Sequence, residues 1–200
     1  MKLYFAPGAC SFAPHLILRE AGLDAELIKV DLRAKKTADN EDFRKINPLG
    51  YVPVLDIGDG TKLSEAQVIL QYLADRAPGN KLAPPNGTME RYRLQESLAF
   101  ISSELHKSFG PLFGNSLPEN ARNAFIDKIR SRYDFLEQHL RGRNFLLDDA
   151  FSIADAYLAT ILNWSGHVKL DLAKWPNLHA YHKRVFDRPA ARVTVEAEKA

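Results

Sequence analysis

The sequence is poor in the residues that announce a chemistry. It has one cysteine, Cys10, so it forms no intramolecular disulfide and is expected in a reducing, cytoplasmic setting. Ala13 stands where a Cys-x-x-Cys pair would need its second thiol. No other thiol of the chain can resolve a mixed disulfide on Cys10, which excludes a dithiol oxidoreductase and leaves monothiol chemistry or binding. Six histidines fall at no metal-ligand spacing, and with a single thiol no metal is expected. An excess of one charge is also lacking. There are 27 basic against 25 acidic side chains, divided 10 and 11 over residues 1–80 and 17 and 14 beyond. Without a concentrated basic field, nucleic acid is not the expected partner. No run approaches the ~18 apolar residues of a membrane span. Met1-Lys2-Leu3 ahead of Cys10 makes no export signal, because Pro7 and Gly8 interrupt it and Arg19 and Glu20 follow. Internal repeats and low-complexity stretches are absent too.

What is present is a chain able to bury a real core, 46% hydrophobic and 26% charged. Its rhythm changes once. Residues 3–5 read as a short strand, 11–21 as a helix stopped by Gly22, and 25–30 as a strand; 40–46 is a weak helical patch. Residues 52–56 and 61–64 read as a hairpin about Gly58-Asp59-Gly60, and 65–77 as a helix. The order βαβ then ββα predicts one small sheet covered by helices, an α/β domain over 1–77. Pro78-Gly79-Asn80 and Pro84-Pro85-Asn86-Gly87 make residues 78–87 the expected linker. Beyond it strand signals vanish. Leu94, Leu98, Ile101, Leu105, Phe109 and Leu112 recur at three and four residues, as do Phe125, Ile129, Tyr133, Leu136 and Leu140. Residues 153–164 are apolar nearly all round, the mark of a helix buried in a bundle. Residues 88–200 are therefore expected to be all-helical.

Pro14 places Cys10. Proline is tolerated in the first turn of a helix, where N–H groups have no intrahelical partner. The helix must then begin near Cys10 or Ser11, with the thiol close to the positive end of its dipole. Such a place suits a thiolate on Cys10, a cradle for an incoming anion, or simply a small apolar residue at a strand–helix junction. In "NPLGYVPVL", Val52 precedes Pro53 at a strand start; Pro53 is either a simple edge-strand proline or follows a cis bond that would turn the Val52 peptide outward to pair with an extended peptide. With Ser64 as N-cap, Glu65 and Ala66 open the next helix, and Glu65 either complements the helix dipole or is free to accept an ammonium group. Lys35 and Lys36 form a solvated pair or meet a carboxylate. On the long helix the stripe Ala99, Ser102, Ser103, His106, Gly110 is small and polar, and His106 is its one group expected to exchange a proton near neutrality. "FSIADAYL" has Ser152 and Asp155 spaced as a capping box, a structural role.

Together these residues resemble the cytosolic glutathione transferases, most closely the bacterial beta class. The resemblance runs through "YFAPGACS", "NPLGYVPVL", "LSEAQVILQYLAD", "SSELHKSFGPLF" and "FSIADAYL". It implies a thioredoxin-like N-terminal domain, an all-helical C-terminal domain and a cytoplasmic homodimer that takes glutathione as co-substrate and joins it to a small hydrophobic electrophile. It further implies that Cys10, helped by Ser11, hydrogen-bonds the glutathione sulfur or forms a mixed disulfide with it. Lys35 would meet the glycyl carboxylate, Val52 before a cis Pro53 the cysteinyl backbone, and Glu65 with the Ala66 N–H the γ-glutamyl end. His106 would lie beside the sulfur, with Ser103 and Glu104 also reaching glutathione. Tyr51, Phe109, Phe113 and Trp164 are candidate walls of the electrophile pocket or ordinary core. Two departures stand out: Ala66 where relatives often carry a hydroxyl, and Ala99 where they often carry Asn. Two other functions fit the same residues. One is glutathione-dependent dehalogenation or disulfide reduction with Cys10 as nucleophile. The other is a non-catalytic carrier of hydrophobic ligands.

Overall fold

A computed structural model describes every residue except Asn115, Asp149 and Ala200, and every side chain of the rest but that of Asn80. The chain divides into two compact units, Met1–Ala83 with Arg188–Ala200, and Pro84–Asp187.

The first unit is built on a five-stranded sheet. Its strands are β1 (Lys2–Phe5), β2 (Glu26–Asp31), β3 (Lys36–Thr37), β4 (Val54–Asp56) and β5 (Lys62–Ser64), in the order β3-β2-β1-β4-β5. Leu3, Tyr4 and Phe5 are all buried, as a central strand covered on both faces requires. β1 runs parallel to β2, with Leu3 opposite Leu27, and antiparallel to β4, with Leu3 opposite Leu55. Tyr4, Ala6, Val30, Phe43, Val52 and Val54 form one core cluster. Helix α1 (Phe12–Ala21) packs against α2 (Ala66–Arg76). Gly22 ends α1 in the left-handed region at φ 63°, which lets the Leu23 N–H return to the Leu18 carbonyl at 2.9 Å.

Two elements of this unit depart from the sequence-based expectation. β3 is only two residues long. Helix α8 (Pro189–Lys199) packs against α1 and belongs to the first unit, whereas the sequence reading placed everything from residue 88 onward in the helical domain. Its buried residues are Ala191, Thr194 and Glu198. Its helical form agrees with expectation, and the unit it joins does not.

The second unit is helical. Thr88 caps α3 (Met89–Phe100), accepting the Arg91 N–H at 3.2 Å. One π-helical turn, Ile101–His106, continues it, with the Lys107 N–H reaching back to the Ser102 carbonyl. Short α4 (Lys107–Phe109), α5 (Glu119–His139), α6 (Ile153–Leu162) and α7 (Pro176–Phe186) follow. Every residue of α6 is buried, as its all-round apolar sequence requires. Ser152 is its N-cap, and the Asp155 carboxylate accepts the Ser152 N–H and hydroxyl at 2.8 and 2.7 Å, the Leu146 N–H at 2.8 Å and the Tyr181 hydroxyl at 2.9 Å. Burial pushes this carboxyl upward from its ordinary pKa, and the hydrogen bonds oppose that shift. No described helix is long and apolar enough to cross a membrane.

Candidate active site

The first unit holds eight of the expected residues. Ser11 is the N-cap of α1 and Cys10 stands one residue before it. The Cys10 thiol is buried and donates to the Val52 carbonyl at 3.2 Å. The Val52–Pro53 peptide is cis. Among the described residues the Val52 N–H has no partner. That peptide can therefore accept an extended ligand strand while its carbonyl holds the thiol proton.

The helix start is less open than the sequence implied. The N–H groups of Phe12, Ala13 and His15 already donate to the carbonyls of Ala9, Cys10 and Ser11, and Pro14 has none. What remains for an anion is the oriented dipole rather than a ring of free donors. Ser11 is also committed: it accepts the Ala6 N–H and donates to the Ala6 carbonyl, both at 3.1 Å. It is fully buried and fixes the turn that carries Cys10.

A second clamp on this turn had no sequence signal. Glu198 of α8 accepts the Gly8 N–H at 2.9 Å and meets His15 Nδ1 at 3.0 Å, all three groups lying in one unit. Charged residues inside a core are invisible to hydrophobic periodicity.

Glu65 differs from expectation. Ser64 ends β5, and Glu65 itself occupies the N-cap of α2 with φ 66° and ψ 114°. For a residue with a Cβ this conformation costs of order 1–3 kcal/mol. It leaves the carboxylate exposed and, among the described residues, unpartnered. Ala66 follows as the first helical residue, its N–H among those a helix leaves open. Lys35 lies over the Tyr51 ring, 5.5 Å from its centroid, and donates to the Gly50 carbonyl at 2.9 Å. Tyr51 is exposed.

The second unit holds the others. His106 ends the π turn and meets the Tyr157 hydroxyl through Nδ1 at 2.6 Å. The ring lies edge-on to Trp164, with centroids 5.1 Å apart. Burial, then Lys107, lowers its pKa to about 4. The expectation of proton exchange near neutrality is overturned: His106 is a neutral imidazole at pH 7. The Ser103 hydroxyl bonds the Ala99 carbonyl at 2.9 Å. Glu104 is gripped by Arg132 at 2.7 and 3.0 Å and by Lys128 at 3.4 Å, and the Arg132 hydrogen bonds hold its carboxyl below the usual range. Its carboxylate is thus engaged by α5 rather than held open for a ligand. Phe109 is fully buried against Trp164 and is core, whereas Phe113, on the same indole at 5.1 Å, exposes half its surface. Among the described residues no cluster of three His, Cys, Asp or Glu could hold a metal ion.

A mixed five-stranded sheet with the chain's one thiol at its first strand–helix turn, beside a cis Val52–Pro53 peptide, is the arrangement of a thioredoxin-like domain. The comparisons make the assignment specific. The N-terminal domain of the glutathione S-transferases matches residues 1–75 and their C-terminal domain residues 100–189. The chain is 39% identical to the glutathione S-transferase GstA of Escherichia coli O157:H7, over 99% of this chain and 98% of that one. It superimposes on the ternary complex of BphK, a bacterial GST, with TM-score 0.98 and 48% identity over all of both chains. A sphingomonad glutathione S-transferase complexed with glutathione matches with TM-score 0.96 and 43% identity, over 100% of this chain and 99% of that one. A beta-class enzyme of Sphingomonas chungbukensis matches with TM-score 0.95 and 41% identity, over 99% and 98%. The chain belongs to the glutathione S-transferase family, and its likeness is to the bacterial beta class.

Proposed function

We propose that this enzyme binds glutathione along the Val52 edge and transfers its sulfur to the electrophilic carbon of a small hydrophobic molecule. The observation that carries the reading is the 3.2 Å contact between the Cys10 thiol and the Val52 carbonyl. It puts the chain's one thiol beside the backbone on which the tripeptide would lie. Val52 pairs with the cysteinyl backbone, Glu65 and the Ala66 N–H hold the γ-glutamyl ammonium and carboxylate, and Lys35 turns from Gly50 to the glycyl carboxylate. Cys10 moves its S–H from Val52 to the glutathione sulfur, and the neutral imidazole of His106 adds an N–H. Both donors, with the α1 dipole, favour the thiolate over a thiol whose reference pKa is about 8.5. Each unit of lowering is worth about 1.4 kcal/mol. Phe113, half exposed and backed by the Trp164 ring, offers apolar surface for the electrophile. Ser103 completes the glutathione contacts. Glu104 acts on them through charge while paired with Arg132. The protein works as a cytoplasmic homodimer.

A second activity is favoured by the same thiol. YfcG of E. coli K12, a disulfide-bond oxidoreductase, is 30% identical over 95% of this chain and 92% of its own. The Cys10 thiolate attacks a glutathione mixed disulfide, its sulfur bonds to glutathione, and the other thiolate leaves and takes up the proton.

The test is to assay an aryl halide and a glutathione mixed disulfide side by side, in wild type and Cys10→Ala. Conjugation that survives the substitution while disulfide exchange disappears supports the division of labour. Failure of wild type to bind glutathione at millimolar concentration refutes it.

A further inference from the structure

The wall behind His106 bears on which of its two nitrogens carries the proton. Tyr157 lies on α6, only 1% exposed, and its hydroxyl oxygen is 2.6 Å from Nδ1. An N–H donor to oxygen ordinarily sits at 2.7–3.2 Å, whereas an O–H donor reaches shorter distances. Phenol is also the stronger acid and imidazole nitrogen the stronger base. Both arguments make Tyr157 the donor and Nδ1 the acceptor. The ring then keeps its single proton on Nε2. Among the described residues nothing bonds Nε2, and solvent reaches it. The ring cannot easily turn over, because Trp164 and Tyr157 both meet it edge to face, at 5.1 and 5.9 Å between centroids.

We infer that Tyr157 is a positioning residue for the transfer reaction: its hydroxyl locks His106 in the tautomer that offers an Nε2–H to the glutathione sulfur. The inference rests on the role proposed above for His106. The chemistry is a matter of sign. With its proton on Nε2 the imidazole presents a donor to the developing anion. With its proton on Nδ1 it would present a lone pair and repel that anion. A neutral histidine therefore helps only if something behind it selects the tautomer. In α6, whose other buried side chains are chiefly aliphatic or alanine, the Tyr157 hydroxyl is the group in contact with Nδ1.

The experiment uses the whole protein labelled with ¹⁵N-histidine, the His106 signals being assigned by their loss in His106→Gln. Long-range ¹H–¹⁵N correlation at pH 7 is expected to show a pyrrole-like Nε2 and a pyridine-like Nδ1. In Tyr157→Phe, which keeps the ring and loses only the hydroxyl, the two nitrogen shifts should move towards each other. kcat for an aryl halide should fall about three- to tenfold, the worth of one hydrogen bond, with KM for glutathione within about twofold. Wild-type protein with its proton on Nδ1 overturns the inference, and so do spectra unchanged by Tyr157→Phe. If the variant does not fold, the wild-type spectrum alone decides. Shifts that respond while kcat stays at the wild-type value also overturn it, since the lock would then serve no transfer. A wild type with the expected spectrum but no turnover would instead indict the proposed activity, leaving the tautomer lock in place.

Discussion

Asp155→Ala should damage folding far more than chemistry. The side chain is fully buried and accepts from four donors: the Ser152 N–H and hydroxyl, the Leu146 N–H and the Tyr181 hydroxyl. Alanine keeps the helix but leaves these donors facing a void. A buried donor stranded in this way costs about 1–3 kcal/mol, and losses within one network do not simply add. The Ser152 hydroxyl can rotate to another acceptor, whereas the two backbone N–H groups cannot. The two backbone donors, which cannot turn away, then set a total of about 3–5 kcal/mol. For a chain of this size 1 kcal/mol moves the melting temperature by about 2–4 °C, so Tm should fall by roughly 6–20 °C. Asp155→Asn, which keeps one acceptor oxygen, should fall in between. Circular dichroism melts and urea titrations measure the loss. Glutathione KM, taken at a temperature where the variant is folded, should stay at the wild-type value. A variant that melts within about 2 °C of wild type, or one equally stable but inactive, would refute the structural role.

Three further outcomes follow from the site. Cys10→Ala should lose thiol–disulfide exchange and keep conjugation within about tenfold, since one weak donor is worth about 1 kcal/mol; parallel initial-rate assays decide. Glu65→Gln should raise the glutathione KM tenfold to a hundredfold, as expected for a hydrogen bond to a charged group at about 1.5–3 kcal/mol; an unchanged KM would remove Glu65 from the site. His106 and His182, both lowered by burial to about 4, should make folding pH-dependent. Each is protonated in the unfolded chain at its ordinary value near 6.5 and resists protonation when folded. Stability is therefore full above about 6.5 and declines as pH falls towards 4. Melts across that range should show the decline, and His106→Phe and His182→Phe should each flatten part of it.

Most of the architecture could be read from periodicity, because the elements that bury apolar side chains advertise themselves. The helices expected over Leu94 to Leu112, Phe125 to Leu140 and 153–164 all form, except that the first is broken by the π turn and gives way to a 3₁₀ turn at Gly110–Phe113, and the last becomes 3₁₀ from Asn163. The π turn at Ile101–His106 left no trace, since Leu98, Ile101, Leu105 and Phe109 stay buried across it. α8 was expected as a helix, but its place in the first unit was not legible, since a buried face of alanine, threonine and glutamate does not say what covers it. In the site, residue type and position were legible and commitment was not. Local sequence and the family resemblance singled out Cys10, Val52 and Glu65 as candidates. It did not show that Ser11 is spent on Ala6, that Glu104 is held by Arg132, or that burial silences His106. Those facts depend on what stands opposite each group in space.

The Glu198 clamp gives the two ends of the chain a shared fate. The amide of Gly8, two residues before the reactive sulfur, receives its carboxylate from residue 198. During synthesis the sheet and its first two helices are complete once residue 83 is made, yet that amide waits for the remainder to be translated, on the order of ten seconds. The thiol turn, braced locally by Ser11 on Ala6 and by Cys10 on Val52, thus gains its last clamp only from the far end of the chain.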